Sequence, residues 1–170
     1  LQGLRQIAAT PGISAAKLAA VASAFNDLGD TASATQYAQQ ALAAGPDTAE
    51  GYEPIVRILA AAGQDSFALS AVQRASELAG ASPQGQRTVA RLNGVLAASQ
   101  ADRLRLAGQY APAFDLLQNA WNAAPNNVDI LSALGRLYQS GGMQPQAART
   151  FQMVLATEPV SYTHLTLPTK

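Results

Sequence analysis

At 170 residues, with 48% hydrophobic but only 6% aromatic side chains, the chain can bury a substantial core, and alanine must fill much of it. Eleven basic and eleven acidic side chains cancel, which excludes the basic footprint of a nucleic-acid binder, and the absence of cysteine excludes disulfide and thiol chemistry. No apolar run approaches the roughly 20 residues that a membrane-spanning helix needs, so this stretch is not expected to span a membrane.

In chain order, Leu1, Leu4, Ile7 and Ala8 recur at helical spacing until Thr10-Pro11-Gly12 stops them. Residues 1–12 are predicted to be the second helix of a pair whose first helix precedes residue 1. The next pair spans 15–48. Ser14 caps its first helix, Leu18, Val21, Ala22 and Phe25 form the apolar stripe, Gly29 makes the turn, Thr31 caps the second helix, and Ala34, Ala38 and Ala41 pack it. A pair over 49–82 is opened by Asp47-Thr48 and carries Tyr52, Ile55, Val56 and Leu59. Its turn is at Gly63, Asp65-Ser66 are the expected cap, and Ala68, Val72 and Ala75 follow. Pro54 removes a hydrogen bond early in the first helix and predicts an irregular start.

Ser82-Pro83 read as cap and first residue of another helix. Residues 83–93 are predicted to be an extra helical segment with its own stripe of Val89, Leu92 and Leu96, unpaired and broken near Gly94. The pair over 94–127 has its turn at Gly108 and packs Ala113, Leu117, Ala120 and Trp121 inward. The last pair, 128–159, is capped by Asn126-Asn127 and lined by Leu131, Leu134, Gly135, Tyr138, Ala147, Phe151 and Val154. Residues 160–170 are rich in β-branched side chains and interrupted by Pro168, and are expected to be a non-native tail.

These pairs repeat. Leu104 answers to Tyr138, Gly108 to Gly142, Ala113 to Ala147, Leu117 to Phe151 and Pro125 to Pro159, an offset of 34 residues each time. Leu134-Gly135-x-x-Tyr138 matches the L-G-x-x-Y core of the tetratricopeptide repeat. The predicted fold is therefore all-α: a right-handed superhelix of antiparallel helix pairs, interrupted by the extra segment between the second and third repeats.

Such an array supplies a scaffold rather than a reaction. The only histidine, His164, lies in the suspect tail, and Asp30, Asp47 and Asp65 are each explained as helix or turn caps. No enzyme activity, metal site or cofactor is expected. In this repeat family the inner, concave surface is built from first-helix residues off the packing stripe. The candidates for partner binding are Asn26, Glu53, Arg57, Asp102, Arg105, Asp129, Arg136 and Gln139. Arg57 and Arg136 hold equivalent positions, and the plainer reading is that they pair with Glu53 and Asp129 or face water. The carboxylate clamp of chaperone-binding repeats is absent, since Ala19, Ser23, Pro54, Val95 and Ser99 stand at its positions.

Three segments carry a closer resemblance. LRLAGQYAPAFDLLQNAWNAAPNN, DILSALGRLYQSGG and GYEPIVRILAAAGQDSFALSAVQRA resemble the repeat region of the bacterial cellulose synthase operon protein C family, and the irregular insertion fits. The resemblance implies a periplasmic array, joined in the intact protein to an outer-membrane β-barrel, that scaffolds the protein partners of a cellulose synthase complex. The first-helix candidates include no aromatic residue on which a sugar could stack. Protein contacts are therefore expected there, with only weak contact to glucan or peptidoglycan. A peptide-binding adaptor of another bacterial pathway and a substrate-recruiting domain of a glycosyltransferase are the alternatives. A downstream barrel, an upstream lipidation signal or a downstream nucleotide-sugar domain would separate the three.

Overall fold

A computed structural model describes residues 1–157. Among the described residues there are nine α-helices, one 3-10 turn and no strand. The helices are α1 (Gln2–Ala8), α2 (Ala15–Asp27), α3 (Thr31–Ala44), α4 (Glu53–Ala61), α5 (Asp65–Ala79), α6 (Pro83–Leu106), α7 (Tyr110–Ala123), α8 (Val128–Ser140) and α9 (Gln144–Thr157). Pro159, His164 and the expected tail over 160–170 lie outside the described residues.

The pairing follows from four copies of one turn. Gly29, Gly63, Gly108 and Gly142 have φ of 80°, 73°, 77° and 74°, a left-handed conformation that costs glycine least. Each closes the helix before it with the same two bonds, as at Gly63, where Gly63 N–H donates to Ala60 and Gln64 N–H to Leu59 (3.0 and 2.8 Å). This double closure satisfies the last carbonyls of the first helix and reverses the chain into the second. The spacing of these glycines is 34, 45 and 34 residues, so the single break in period falls between the second and third turns.

Helix starts follow the cap chemistry with two corrections. Ser14, Thr48, Ser82 and Asn127 accept the amide of the residue three further on, at 3.1–3.2 Å. The cap of α3 is Asp30 rather than Thr31, its carboxylate accepting from Ser33 N–H at 3.0 Å and from the Ser33 hydroxyl at 2.7 Å. An anion at this position also answers the positive end of the helix, which a threonine hydroxyl cannot do. Asp65 is not the cap of α5 but its first residue, behind Gln64, where its charge favours the same helix end. The irregular start at Pro54 is the 3-10 turn Glu50–Tyr52, after which Pro54 sits in the first turn of α4, where its missing N–H is harmless.

The chain forms two compact units, Leu1–Leu96 and the part from Ala97 onward. In the first, Phe25 is fully buried and stacks on Tyr37 with centroids 5.4 Å apart. Ala34, Ala38, Ala41, Ala68, Ala71 and Ala75 are fully buried in the same core, and their small side chains let the helices close. Ile55 and Leu59 are also fully buried, each contributing roughly 1.5–3 kcal/mol by leaving water. In the second unit Leu117 and Ile130 centre the core, with Trp121 and Leu134 packed partly buried against it.

The inserted segment over 83–93 is helical but neither unpaired nor broken at Gly94. It is the front of the 24-residue helix α6. Val89, Leu92, Val95 and Leu96 join the core of the first unit, while Ala98 and Ala101 join that of the second. The two offset stripes therefore need no break: each half of one helix buries its own stripe in its own unit. An insertion of 11 residues is close to three turns at 3.6 residues per turn, so it lengthens a helix without disturbing its face by more than about 20°.

Candidate partner-binding surface

The sequence places its candidate residues on the first helices α2, α4, α6 and α8, and the structure gathers most of them into two clusters, one in each unit. In the first unit Glu53, in the opening turn of α4, takes Arg57 Nη2 on Oε1 at 3.3 Å and Arg91 Nη2 on Oε2 at 3.2 Å. One turn earlier, Glu50 accepts from the buried Thr88 hydroxyl at 3.1 Å. The front half of α6 is thus tied to α4 through side chains that reach from either helix.

In the second unit Asp102 on α6 receives Arg136 from α8 in a two-pronged contact, Nε to Oδ1 at 3.1 Å and Nη2 to Oδ2 at 2.7 Å. Arg105, one turn along α6, adds Nε to the same Oδ1 at 3.4 Å and gives Nη1 to the Ser140 hydroxyl at 3.1 Å. The planar guanidinium fork matches a carboxylate in this way where a lysine would not. In both units one carboxylate is shared by two arginines.

The expected pairing of Arg57 with Glu53 is therefore present, but Arg136 pairs with Asp102, not with Asp129. The reason is geometric. Asp129 lies two helical turns before Arg136 on α8, whereas Asp102 on the neighbouring first helix meets the guanidinium fork with both oxygens. Asn26 stands apart from both clusters and lines a shallow cavity of about 440 Å³ with Thr31, Thr35 and Gln64. Asp129 is half-buried and Gln139 exposed. Arg91 was not among the sequence candidates, although it lies one 34-residue period after Arg57. The insertion had moved the expected frame past it.

A third polar cluster stands at the other end of the first unit. Arg5 of α1 lies 5.3 Å from the Phe25 ring centre and 3.8 Å from Asp30, and donates to Ser33 at 3.3 Å. The Ser33 amide, then its hydroxyl, hold the Asp30 carboxyl below its ordinary value; desolvation opposes them, and Arg5 adds a lesser pull downward. Among the described residues no group of histidine, cysteine, aspartate or glutamate is arranged to hold a metal ion, and no helix is long and apolar enough to cross a membrane.

Residues 104–165 match the family model described as tetratricopeptide repeat. The chain is 32% identical over 137 residues, 81% of its length, to Cellulose synthase operon protein C of Xanthomonas axonopodis pv. citri (strain 306), of which it spans 9%. Among solved structures it is similar to the crystal structure of MamA, with a TM-score of 0.52 at 15% identity, covering 95% of this chain and 88% of that one. At that identity the likeness is one of fold alone. Four glycine turns in a 34-residue frame, the Leu134-Gly135-x-x-Tyr138 core and these matches make one conclusion: the chain is a tetratricopeptide-repeat protein, similar in sequence to Cellulose synthase operon protein C.

Proposed function

We propose that this array is a non-catalytic scaffold for protein–protein contacts in the periplasmic part of a bacterial cellulose synthesis and export complex. The observation that carries the reading is the 32% identity to Cellulose synthase operon protein C across 81% of the chain. The first-helix clusters support contact with a polar protein surface. Arg57, Arg91, Arg105 and Arg136 each meet a carboxylate at 2.7–3.4 Å, and the two-pronged Arg136–Asp102 contact orders its arginine most before a partner arrives. Ordering beforehand lowers the cost of association, and arginines of this kind contribute more than their share at interfaces. The partner-binding residues are Glu53, Arg57, Asp102, Arg105 and Arg136, with Asn26, Asp129 and Gln139 around them.

The test is functional replacement in a cellulose-producing bacterium. Arg57→Glu combined with Arg136→Glu in the intact protein is expected to reduce exported cellulose several-fold while the protein still accumulates in the periplasm. Unchanged export with both charges reversed would remove this surface from the account.

A further inference from the structure

Between α7 and α9, floored by α8, the second unit carries a groove of about 270 Å³ that the first-helix clusters do not touch. Its walls are aromatic: Phe114 and Tyr138 stand 6.4 Å apart with their planes tilted by 59°, and Trp121 extends the wall along α7. Phe114 is 37% exposed and Met153, on the opposite wall, 42% exposed. Together with the aromatic pair they make a contiguous apolar lining open to solvent, the kind of patch that marks a binding groove. Gln118 and Thr150 place an amide and a hydroxyl on the same lining, and none of its described lining residues is charged.

This lining selects by chemistry. A peptide terminus or an acidic sugar brings a charge, and the groove offers no opposite charge to meet it. An amphipathic helix needs anchor pockets spread over about two turns, roughly 10 Å of rise, whereas this volume lies just under the usual range of about 300–1,000 Å³ for a ligand pocket. A neutral pyranose ring fits both limits. Its C–H face is apolar and suits a tilted aromatic wall, and its equatorial hydroxyls lie at the edge, where an amide and a hydroxyl can meet them.

We propose that the α7–α9 groove is a subsite for a neutral β-linked glucan, with one ring against Phe114, Trp121 and Tyr138 and its hydroxyls on Gln118 and Thr150. The choice of a β-linked chain rests on the cellulose-export reading. The class of ligand rests on the lining alone. The site is built on the second helices α7 and α9 with Tyr138 of α8 beneath them, and it includes none of the first-helix residues assigned to protein partners.

Trp121 is the single tryptophan of the chain, so its emission reports on this groove directly. Titrating the intact chain with cellohexaose is expected to give a saturable change in emission, and maltohexaose, its α-linked counterpart, a weaker one or none. Phe114→Ala is expected to weaken cellohexaose binding roughly two- to tenfold. Gln118→Ala, at an exposed position, is expected to weaken it a few-fold. Silence with cellohexaose, or a response only to an apolar helical peptide, would overturn the site. An equal response to both sugars would overturn its selectivity for the β-linked chain. Capture of the synthase-complex proteins by the same intact protein separates the two readings. If they bind and cellohexaose does not, the groove fails and the export reading stands. If cellohexaose binds and they do not, the scaffold reading fails and the groove stands.

Discussion

Gly135 has no side chain because the ring of Phe151 occupies the place where one would go. A β-carbon added there would lie 2.6 Å from one ring carbon and 2.8 Å from another. Alanine is worth about 1 kcal/mol more than glycine in a helix interior, yet overpacking a closed contact costs about 1–3 kcal/mol, so Gly135→Ala should lower stability. Thermal unfolding should show a lower Tm for the variant; a higher Tm would mean that α8 and α9 are not as closely apposed as described. Asp30 makes a second prediction at this scale. Its folded carboxyl titrates below the ordinary value of 3.8, so the stability that ionised Asp30 confers is present above that value and lost as pH falls through the lower, folded value. The gap in stability between the native chain and Asp30→Ala should therefore be constant near neutrality and close below about pH 4. A gap that widens with acidification would contradict the assignment. Both residues were legible in part: Gly135 from the repeat core, whose reason is the packing against Phe151, and Asp30 as a cap, though of α3 where Thr31 had been expected.

Among the elements, the first helices are joined by arginine–carboxylate contacts of unequal quality. Arg57 and Glu53 are one turn apart on α4 with side chains 46% and 30% exposed, the ordinary geometry of a surface pair worth about 0.3–0.5 kcal/mol. Arg136 and Asp102 come from different helices, meet through two parallel bonds and are 39% and 27% exposed, which puts their coupling at about 1 kcal/mol, the upper end of the exposed range. Double-mutant cycles on unfolding in urea should rank them in that order; equal couplings would show that the fork adds nothing. Periodicity revealed the helices themselves, because their stripes repeat at helical spacing and the turn inside each of the four pairs has its glycine. It could not reveal that α6 is continuous. Gly94 and a shift of stripe are local signals of a break, and what overrides them is that each half of α6 finds its own core. The same blindness hid the pairing of Arg136 with Asp102, since sequence shows neighbours along one helix and not those across two.

For the described residues as a whole, the four glycine turns with their 34- and 45-residue steps were readable, and with them the tetratricopeptide fold. The sites were less so. The first-helix residues could be named by position, but only coordinates show that five of the eight are already engaged with one another and that Arg91 belongs with them. The aromatic groove escaped because Phe114, Trp121 and Tyr138 sit at helical spacings that a core would also use, and exposure alone distinguishes a wall from a core.

The central claim is that the first-helix face meets proteins of a cellulose synthase complex, and site-specific photo-crosslinking tests it most directly. A photoreactive residue placed at position 57 or 136 of the intact protein, in living cellulose-producing cells, should yield crosslinks to identified subunits of that complex. The same residue at the exposed position 122 on α7 should not. Crosslinks from 57 and 136 only to proteins of unrelated pathways, with cellulose being exported normally, would contradict the account.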